Sequence, residues 1–273
     1  MKGNTSNVKK KSMAENADIH ELYEEAVQSV ENEVEFIEKT FLSVRGRQAK
    51  SFREDFCGTA SMCCEWVKGS SDRSSIGVDI DNNVLEWGRK NRINRLSEID
   101  KEKVSLINED VMKVVNEQVD IIGAFNFSYW IFKTRSQLRE YFINAYNSLL
   151  GDGLLFLDAY GGSEAYEVLK EKTKHDGFTY IWHQASYEPI TGHALCHIGF
   201  NFPDGSKIKK AFTYSWRLWS IPEIKELLIE SGFKNVRIYW EGEDEDGEGS
   251  GEFHEEEKGE PDPGWIVYIV AEK

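Results

Sequence analysis

The sequence predicts an α/β domain: a doubly wound, seven-stranded sheet, mostly parallel with an antiparallel last strand, helices on both faces and an inserted antiparallel meander. Three observations carry that expectation. Between Ser51 and Leu157, short strand-like runs alternate with longer helix-like ones, the pattern of a parallel sheet covered by helices. A tight strand-to-helix turn, Arg53 to Ala60, is followed 21 residues past Gly58 by a second strand end carrying Asp79. After Tyr160 the style changes to aromatic and β-branched runs separated by turn residues, which suits antiparallel strands.

Residues 1–16 are polar, carry Lys9, Lys10 and Lys11, and bury too little apolar surface to offset their ordering entropy, so disorder is expected there. Leu22, Ala26, Val30, Val34, Ile37 and Leu42 keep helical spacing and predict one long helix from Ile19 to Phe41. Strands are expected at 51–56, 75–79, 103–108, 119–127 and 153–159. The helix between the last two has a capping box, Thr134 with Gln137, an apolar stripe of Leu138, Tyr141, Phe142 and Ala145, and Gly151 just past its end.

Residues 178–214 are broken by Glu188-Pro189, Thr191-Gly192 and Pro203-Asp204-Gly205, and predict the meander. A second capping box, Ser220 with Glu223, opens a helix striped by Ile224, Leu227 and Leu228 and ended by Gly232. The last strands fall at 234–240 and 264–271. Between them, residues 241–260 hold eleven carboxylates against the single Lys258, which predicts a solvated, mobile acidic loop over 241–262. The expected organisation is one domain over 17–273, with 163–219 as an insertion.

A chain of 273 residues is long enough to bury its own core. Its net charge of −15 argues against phosphate-neutralising nucleic-acid binding and against anionic membranes. The acidic loop supplies −10 of that charge, so the case against nucleic acid rests on the lack of a basic stripe and on the meander acting as a lid. Cys57, Cys63, Cys64 and Cys196 lack metal-ligand spacing, which disfavours a zinc site or a disulfide framework and suits a reducing compartment. No run approaches a membrane span, and the first residues have no apolar core for a signal peptide, so a cytoplasmic protein is expected.

The chemistry concentrates in Arg53-Glu54-Asp55-Phe56-Cys57-Gly58-Thr59-Ala60 and Gly77-Val78-Asp79-Ile80-Asp81. A tight turn lets backbone N–H groups approach a ligand, and a carboxylate on the next strand can take both hydroxyls of a ribose. The turn lacks the GxGxxG pattern that seats a pyrophosphate, which disfavours dinucleotide enzymes. Glu54 and Asp79 are therefore read as ligand groups. Asp81 is read as the cap of a helix starting at Asn82, and Cys57 as a small filler of the turn.

On these residues the sequence resembles the class I S-adenosylmethionine-dependent methyltransferases, from about Leu22 to Lys273. EDFCGTA resembles the family's acidic glycine-rich turn, GVDID its ribose-binding strand end, and Glu109-Asp110-Val111 the third strand end that reaches the adenine. REDFCGTA…EW is similar to a distinct branch of that family. The resemblance implies S-adenosylmethionine (SAM) as cofactor, held by Tyr23, Arg53, Glu54, Phe56, Cys57, Gly58, Thr59, Asp79, Ile80, Asp110, Val111 and Asn126. Asp110 is equally open to a helix-capping role. Phe56 stands where the family has its first glycine, and is expected beside the methionine end of the cofactor, with Tyr23 or Arg45 closing over it.

Asn126-Phe127-Ser128-Tyr129 resembles the Asn-Pro-Pro-Tyr site of amino-group methyltransferases. That implies Asn126 and Tyr129 as catalytic residues, with a buried strand end as the alternative. The meander is similar to a lid over the acceptor, whose site would be lined by Tyr129, Trp130, Tyr160, Trp182, Tyr214 and Arg217. Tyr180 and Trp182 share one face, as do Tyr214 and Trp216; core packing is the other reading of these rings. Arg217 is open to an acceptor carboxylate or to Asp158, and His183, His193 and His197 are candidate bases. The expected function is N- or O-methylation of a small polar acceptor by a monomer or homodimer. A protein or RNA acceptor, aminopropyl transfer and a non-catalytic scaffold are the rivals.

Overall fold

The structure is a computed structural model that describes residues 11–115, 117–243 and 249–273. The chain divides into two compact units: a smaller one of residues up to Gln28, Glu167–Glu188 and Ala194–Ser215, and a larger one of Ser29–Tyr166, Pro189–His193 and Trp216–Lys273.

The predicted N-terminal helix is two helices. After a short α1 (Met13–Asn16), α2 (Ile19–Val27) ends at Gln28, whose backbone is extended, and α3 (Val30–Arg45) follows. The helical spacing runs through the break because the stripe is shared between two cores: Leu22, Tyr23, Ala26 and Val27 pack in the smaller unit, and Val34, Ile37 and Phe41 in the larger. Disorder was expected up to residue 16. Yet Ser12 and Glu15 form a capping box on α1, Asp204 accepts from the Met13 amide at 2.8 Å, and Ser206 accepts from Ala14 at 3.0 Å. Residues 1–10, with Lys9 and Lys10, lie outside the described residues.

The larger unit continues with β1 (Ser51–Asp55), α4 (Ser61–Lys68), β2 (Ser74–Asp79), α5 (Asn82–Asn91), α6 (Glu98–Lys101), β3 (Val104–Asn108), β4 (Val119–Ala124), α7 (Arg135–Ser148) and β5 (Leu149–Gly161). The chain then makes β6 (Leu169–His175), β7 (Phe178–Glu188), β8 (His193–Asn201) and β9 (Lys207–Arg217). It ends with α8 (Ile221–Glu230), β10 (Val236–Glu243), β11 (Gly249–Glu255) and β12 (Trp265–Glu272).

The main sheet runs β11-β10-β12-β5-β4-β1-β2-β3, eight strands where seven were expected. β1 to β5 are parallel, and β12 is antiparallel to both β5 and β10. The eighth strand, β11, lies in the stretch expected to be a loop. Its charges are tolerated at a sheet edge, while Phe253 turns inward to Tyr268 with ring centres 4.5 Å apart. Residues 244–248 of that stretch lie outside the described residues.

The second sheet has order β6-β7-β8-β9, the expected meander with one more strand. β6 was invisible in sequence because Leu-Lys-Glu-Lys-Thr-Lys-His has no apolar alternation; it is a lysine-rich edge strand. Among the described residues no helix is long and apolar enough to cross a membrane.

Candidate functional site

Strand order reverses between β1 and β4, and a parallel sheet opens a crevice at such a point, outside the carboxyl ends of its strands. Among the described residues, the non-glycine residues with positive φ are Phe56, Ala60, Asn126 and Phe127, at φ 55 to 60°. All four lie just past the ends of β1 and β4. Left-handed backbone is costly for such residues and persists where the surroundings enforce it, often at functional sites.

A carboxylate holds each of the two turns. At the first turn, Asp79 on β2 accepts from the Gly58 amide at 2.9 Å, and its other oxygen accepts from Asp81 at 2.9 Å. At the second, Asp158 on β5 accepts from the amides of Asn126 at 2.6 Å and Phe127 at 2.9 Å. Burial pushes both carboxyls up against these donors, Asp158 to about 7. Sequence reasoning gave Asp79 its place but offered Asp158 only as a partner for Arg217. The signal was available: an apolar run ending in Asp, Leu-Leu-Phe-Leu-Asp, has the form of Gly-Val-Asp.

The structure sorts the other expected cofactor residues. Gly58 has φ 52°, with nothing within 4 Å of where a side chain would begin, so the turn is open on that side. Cys57 fills the turn; its Sγ would lie 2.8 Å from a Cβ on Gly77, and burial holds its thiol well above the ordinary range. Thr59 is buried with its hydroxyl 3.1 Å from that of Ser61. Ile80, beside Asp79, is 73% exposed, an apolar side chain with no core to enter. Asp110 accepts from the Met112 amide at 3.0 Å and so closes a turn rather than capping a helix, and Val111 is buried.

Several expectations are corrected. Arg53 is buried in an ion pair with Asp55 at 2.7 Å and donates to the Val114 carbonyl at 2.6 Å, so its guanidinium faces the interior. The Phe56 ring lies 6.1 Å from that of Phe132 and 6.0 Å from Tyr141; the residue holds the positive φ that glycine adopts readily and turns its ring to Tyr141 of α7. Arg45 is bound to Glu272 at 2.9 Å at the opposite end of the sheet. Tyr23 packs on Phe212 at 4.9 Å and hydrogen-bonds Tyr214, both within the smaller unit.

The catalytic expectation for Tyr129 also fails. It is 0% exposed and donates its hydroxyl to the Asp158 carbonyl at 2.8 Å, which leaves no free face for an acceptor. Asn126 remains partly exposed at the strained turn. Trp130 is fully buried against Tyr160, ring centres 4.8 Å apart, and Trp216 closes on Trp130 and Phe127 at 6.0 Å. Trp182 and Tyr214 belong to the apolar cluster of the smaller unit, packed with α2 and Phe200. Arg217 pairs with Glu223 at 2.9 Å, not with Asp158, and stacks on Trp219 at 3.7 Å. His197 meets Thr213 at 2.9 Å; burial and nearby Lys210 push it and His183 down, and His193 lies in the other unit.

Glu54 was read as a ligand group. It is 6% exposed, and its hydrogen bonds come from Cys63, whose thiol lies at 3.3 Å. Burial, with the charges of Glu33 and Asp79, pushes its carboxyl up to about 8 against those bonds. Glu33 on α3, which the sequence did not single out, is pushed up to about 8 by burial and by the charge of Asp158.

Eight strands in this order, with strained turns at the switch point pinned by Asp79 and Asp158, can be compared with known structures. A SAM-dependent methyltransferase from Clostridium acetobutylicum superposes with a TM-score of 0.68 at 15% identity, over 93% of this chain and 96% of that one. The fold is that of the SAM-dependent methyltransferases. CalS10, an amino pentose methyltransferase from Micromonospora echinaspora solved with SAM bound, matches with a TM-score of 0.65 at 13% identity, over 94% and 97% of the two chains. KedS8, a sugar N-methyltransferase from a Streptoalloteichus species, matches with a TM-score of 0.61 at 14% identity, over 100% and 98%. No family model matches the sequence, and no curated protein matches it.

Proposed function

We propose that this methyltransferase-fold protein is a SAM-dependent methyltransferase acting on a small polar acceptor. The observation that carries the proposal is the Asp79 corner: a carboxylate at the end of β2 that holds the open Gly58 turn, with the exposed Ile80 beside it. That donor set fits the cofactor. Asp79 would take the ribose hydroxyls, Ile80 would cover the adenine, and the open side of Gly58 would admit the chain that joins sugar to amino acid. Glu54 suits a cationic ligand, because among the described residues no cation pairs with its buried carboxyl. When bound, SAM supplies a methyl group on a sulfonium leaving group. The protein's part is alignment and exclusion of water, for which turns fixed by carboxylate-to-amide bonds are suited.

CalS10, an amino pentose methyltransferase, and KedS8, a sugar N-methyltransferase, support a small-molecule acceptor. Calorimetry with SAM and S-adenosylhomocysteine tests the reading directly. Wild type should bind both, and Asp79→Ala should weaken SAM by about 1.5–3 kcal/mol, the scale of hydrogen bonds to a charged group. An unchanged dissociation constant would remove Asp79 from the site. Absence of any binding would turn the protein into a scaffold with this fold.

A further inference from the structure

Resting on that reading, we propose that the acceptor atom is an amine nitrogen and that Glu33 is the group that seats its ammonium and takes its proton before methyl transfer. The placement follows from how α3 is pinned along the sheet. Near the helix's last turn, Arg45 binds Glu272 and the Gly153 carbonyl, both at the amino end of β5. Nine residues earlier, Phe36 stacks on Tyr268 with ring centres 4.5 Å apart, and Tyr268 is the register partner of Asp158. Glu33 is one turn further on. Twelve helical residues from Arg45 to Glu33 rise about 18 Å. Five strand residues from Gly153 to Asp158 rise about 17 Å. The Glu33 carboxyl therefore lies at the level of Asp158, at the carboxyl end of the sheet.

It lies on the acceptor side of that end. Asp79 is on β2 and Asp158 on β5, with β1 and β4 between them, so about 14 Å of sheet separates the two carboxylates. With Asp79 taking the ribose, the adenosine half of the site falls on β2 and β3, which leaves the β1–β4 switch point, β5 and β12 to the methyl group and its acceptor. On that half Glu33 is partly exposed, and among the described residues neither a donor nor a cation bonds its carboxyl. The groups facing it are Asp158 on β5, Glu54 on β1 and Tyr268 on β12, with Glu241 of β10 facing Tyr268 in turn. Three carboxyls and a phenol with no cation form a seat for a positive charge. An amine arrives with one at neutral pH; a hydroxyl does not.

The chemistry closes. An ammonium proton passes to the Glu33 carboxylate and leaves a lone pair on nitrogen. That pair forms the N–C bond to the methyl group as the C–S bond breaks, with its electrons staying on sulfur, and the methylated nitrogen carries the positive charge away. With no ligand, burial and Asp158 hold Glu33 at about 8; a bound ammonium opposes both effects and returns it to the carboxylate that the step requires. Asp158, whose oxygens are engaged by two amides, positions the β4 turn rather than taking the proton.

The test uses SAM labelled with carbon-13 in its methyl group, incubated with the protein and a cell extract cleared of macromolecules, and the same labelling with Glu33→Gln and Glu33→Asp. The label is expected on nitrogen. Glu33→Gln should lower turnover at least about 100-fold and lose the acidic limb of the pH–rate profile, the scale of losing a general base. Glu33→Asp should restore part of it. S-adenosylhomocysteine, measured by calorimetry, should bind Glu33→Gln within twofold of wild type. Label on oxygen or carbon overturns the proposal, as does an unaltered pH profile in Glu33→Gln, or a SAM-binding wild type that labels nothing. A tenfold loss of S-adenosylhomocysteine affinity assigns Glu33 to the cofactor instead. If wild type binds neither SAM nor its product, calorimetry shows the methyltransferase reading itself to be wrong before any acceptor is added.

Discussion

The two ends of the main sheet treat their carboxylates in opposite ways. At the amino end, Asp120 accepts from Arg47, from the Lys50 and Ser51 amides and from the Ser51 hydroxyl, Asp152 pairs with Arg47, and Glu272 is shared by Arg45 and Arg237. Burial raises Asp120, but bonds from Lys50, Arg47 and Ser51 outweigh it and leave the carboxyl below its ordinary value; bonding to Arg47 lowers Asp152. At the carboxyl end, Glu33, Glu54, Asp79 and Asp158 are all pushed up by burial, and among the described residues no cation pairs with any of them. Burial without a cation disfavours the charged form of these carboxyls, so an arrangement with so many of them is suited to a ligand that brings positive charge. The paired end holds the strands together, and the unpaired end is the one that the proposed cofactor and acceptor would occupy.

Asp55 blurs that division, since it sits at the carboxyl end of β1 but is paired with Arg53 and accepts from Tyr141 at 2.9 Å. Arg53→Met tests whether this pair belongs with the structural set. It should cost about 3–5 kcal/mol of unfolding free energy in a denaturant titration, because a buried carboxylate loses its cation. A loss below about 1 kcal/mol would show that Asp55 protonates and stands alone. Asp120→Ala, at the amino end, should cost about 1–3 kcal/mol by leaving buried donors unmet, with SAM affinity unchanged. A loss of affinity there would break the division of labour between the ends.

A third test titrates the unpaired end. Glu33 and Glu54 at about 8 and Asp158 at about 7 keep protons that the unfolded chain releases near pH 4 to 4.5. Stability from these groups is present in acid, falls as pH rises through the folded values and levels off above about 8. The ligand-free melting temperature should therefore drop between about pH 5 and pH 8, by roughly 2–4 °C per kcal/mol lost. Glu54→Gln should flatten the slope, and an equally steep curve in that variant would remove Glu54 from the unpaired set. The smallest effect is expected at the exposed Lys39–Glu35 pair, where Lys39→Ala should shift stability by less than about 0.5 kcal/mol.

How much of this was legible in the sequence differs from element to element. The strand-to-helix alternation, the caps at Thr134 and Ser220 and the Gly58–Asp79 corner could be read because each is set by residues close in sequence, or by one repeated unit. β6 and β11 escaped because edge strands need no apolar face. The break between α2 and α3 escaped because the apolar spacing is continuous across it while the partners change. An aromatic at a strand end reads alike in sequence whether it faces a ligand or the core, so Tyr129 and Trp130 look like acceptor residues there; the bond to the Asp158 carbonyl settles Tyr129 as core. Arg217 had several carboxylates within reach by chemistry, and only the fold brought it to Glu223.

By itself, then, the sequence determined the doubly wound architecture, the turn after β1 and the carboxylate that faces it, since hydrophobic period and strand-end chemistry are local properties. The tertiary structure decided which charges are paired. Arg45 and Arg217 are each consumed by a carboxylate that sequence spacing could not identify, while Glu33, an unremarked position on a helix, is carried to Asp158 with no cation paired to it among the described residues. Ion pairing depends on distance through space and on burial, and neither exists until the helices have packed on the sheet.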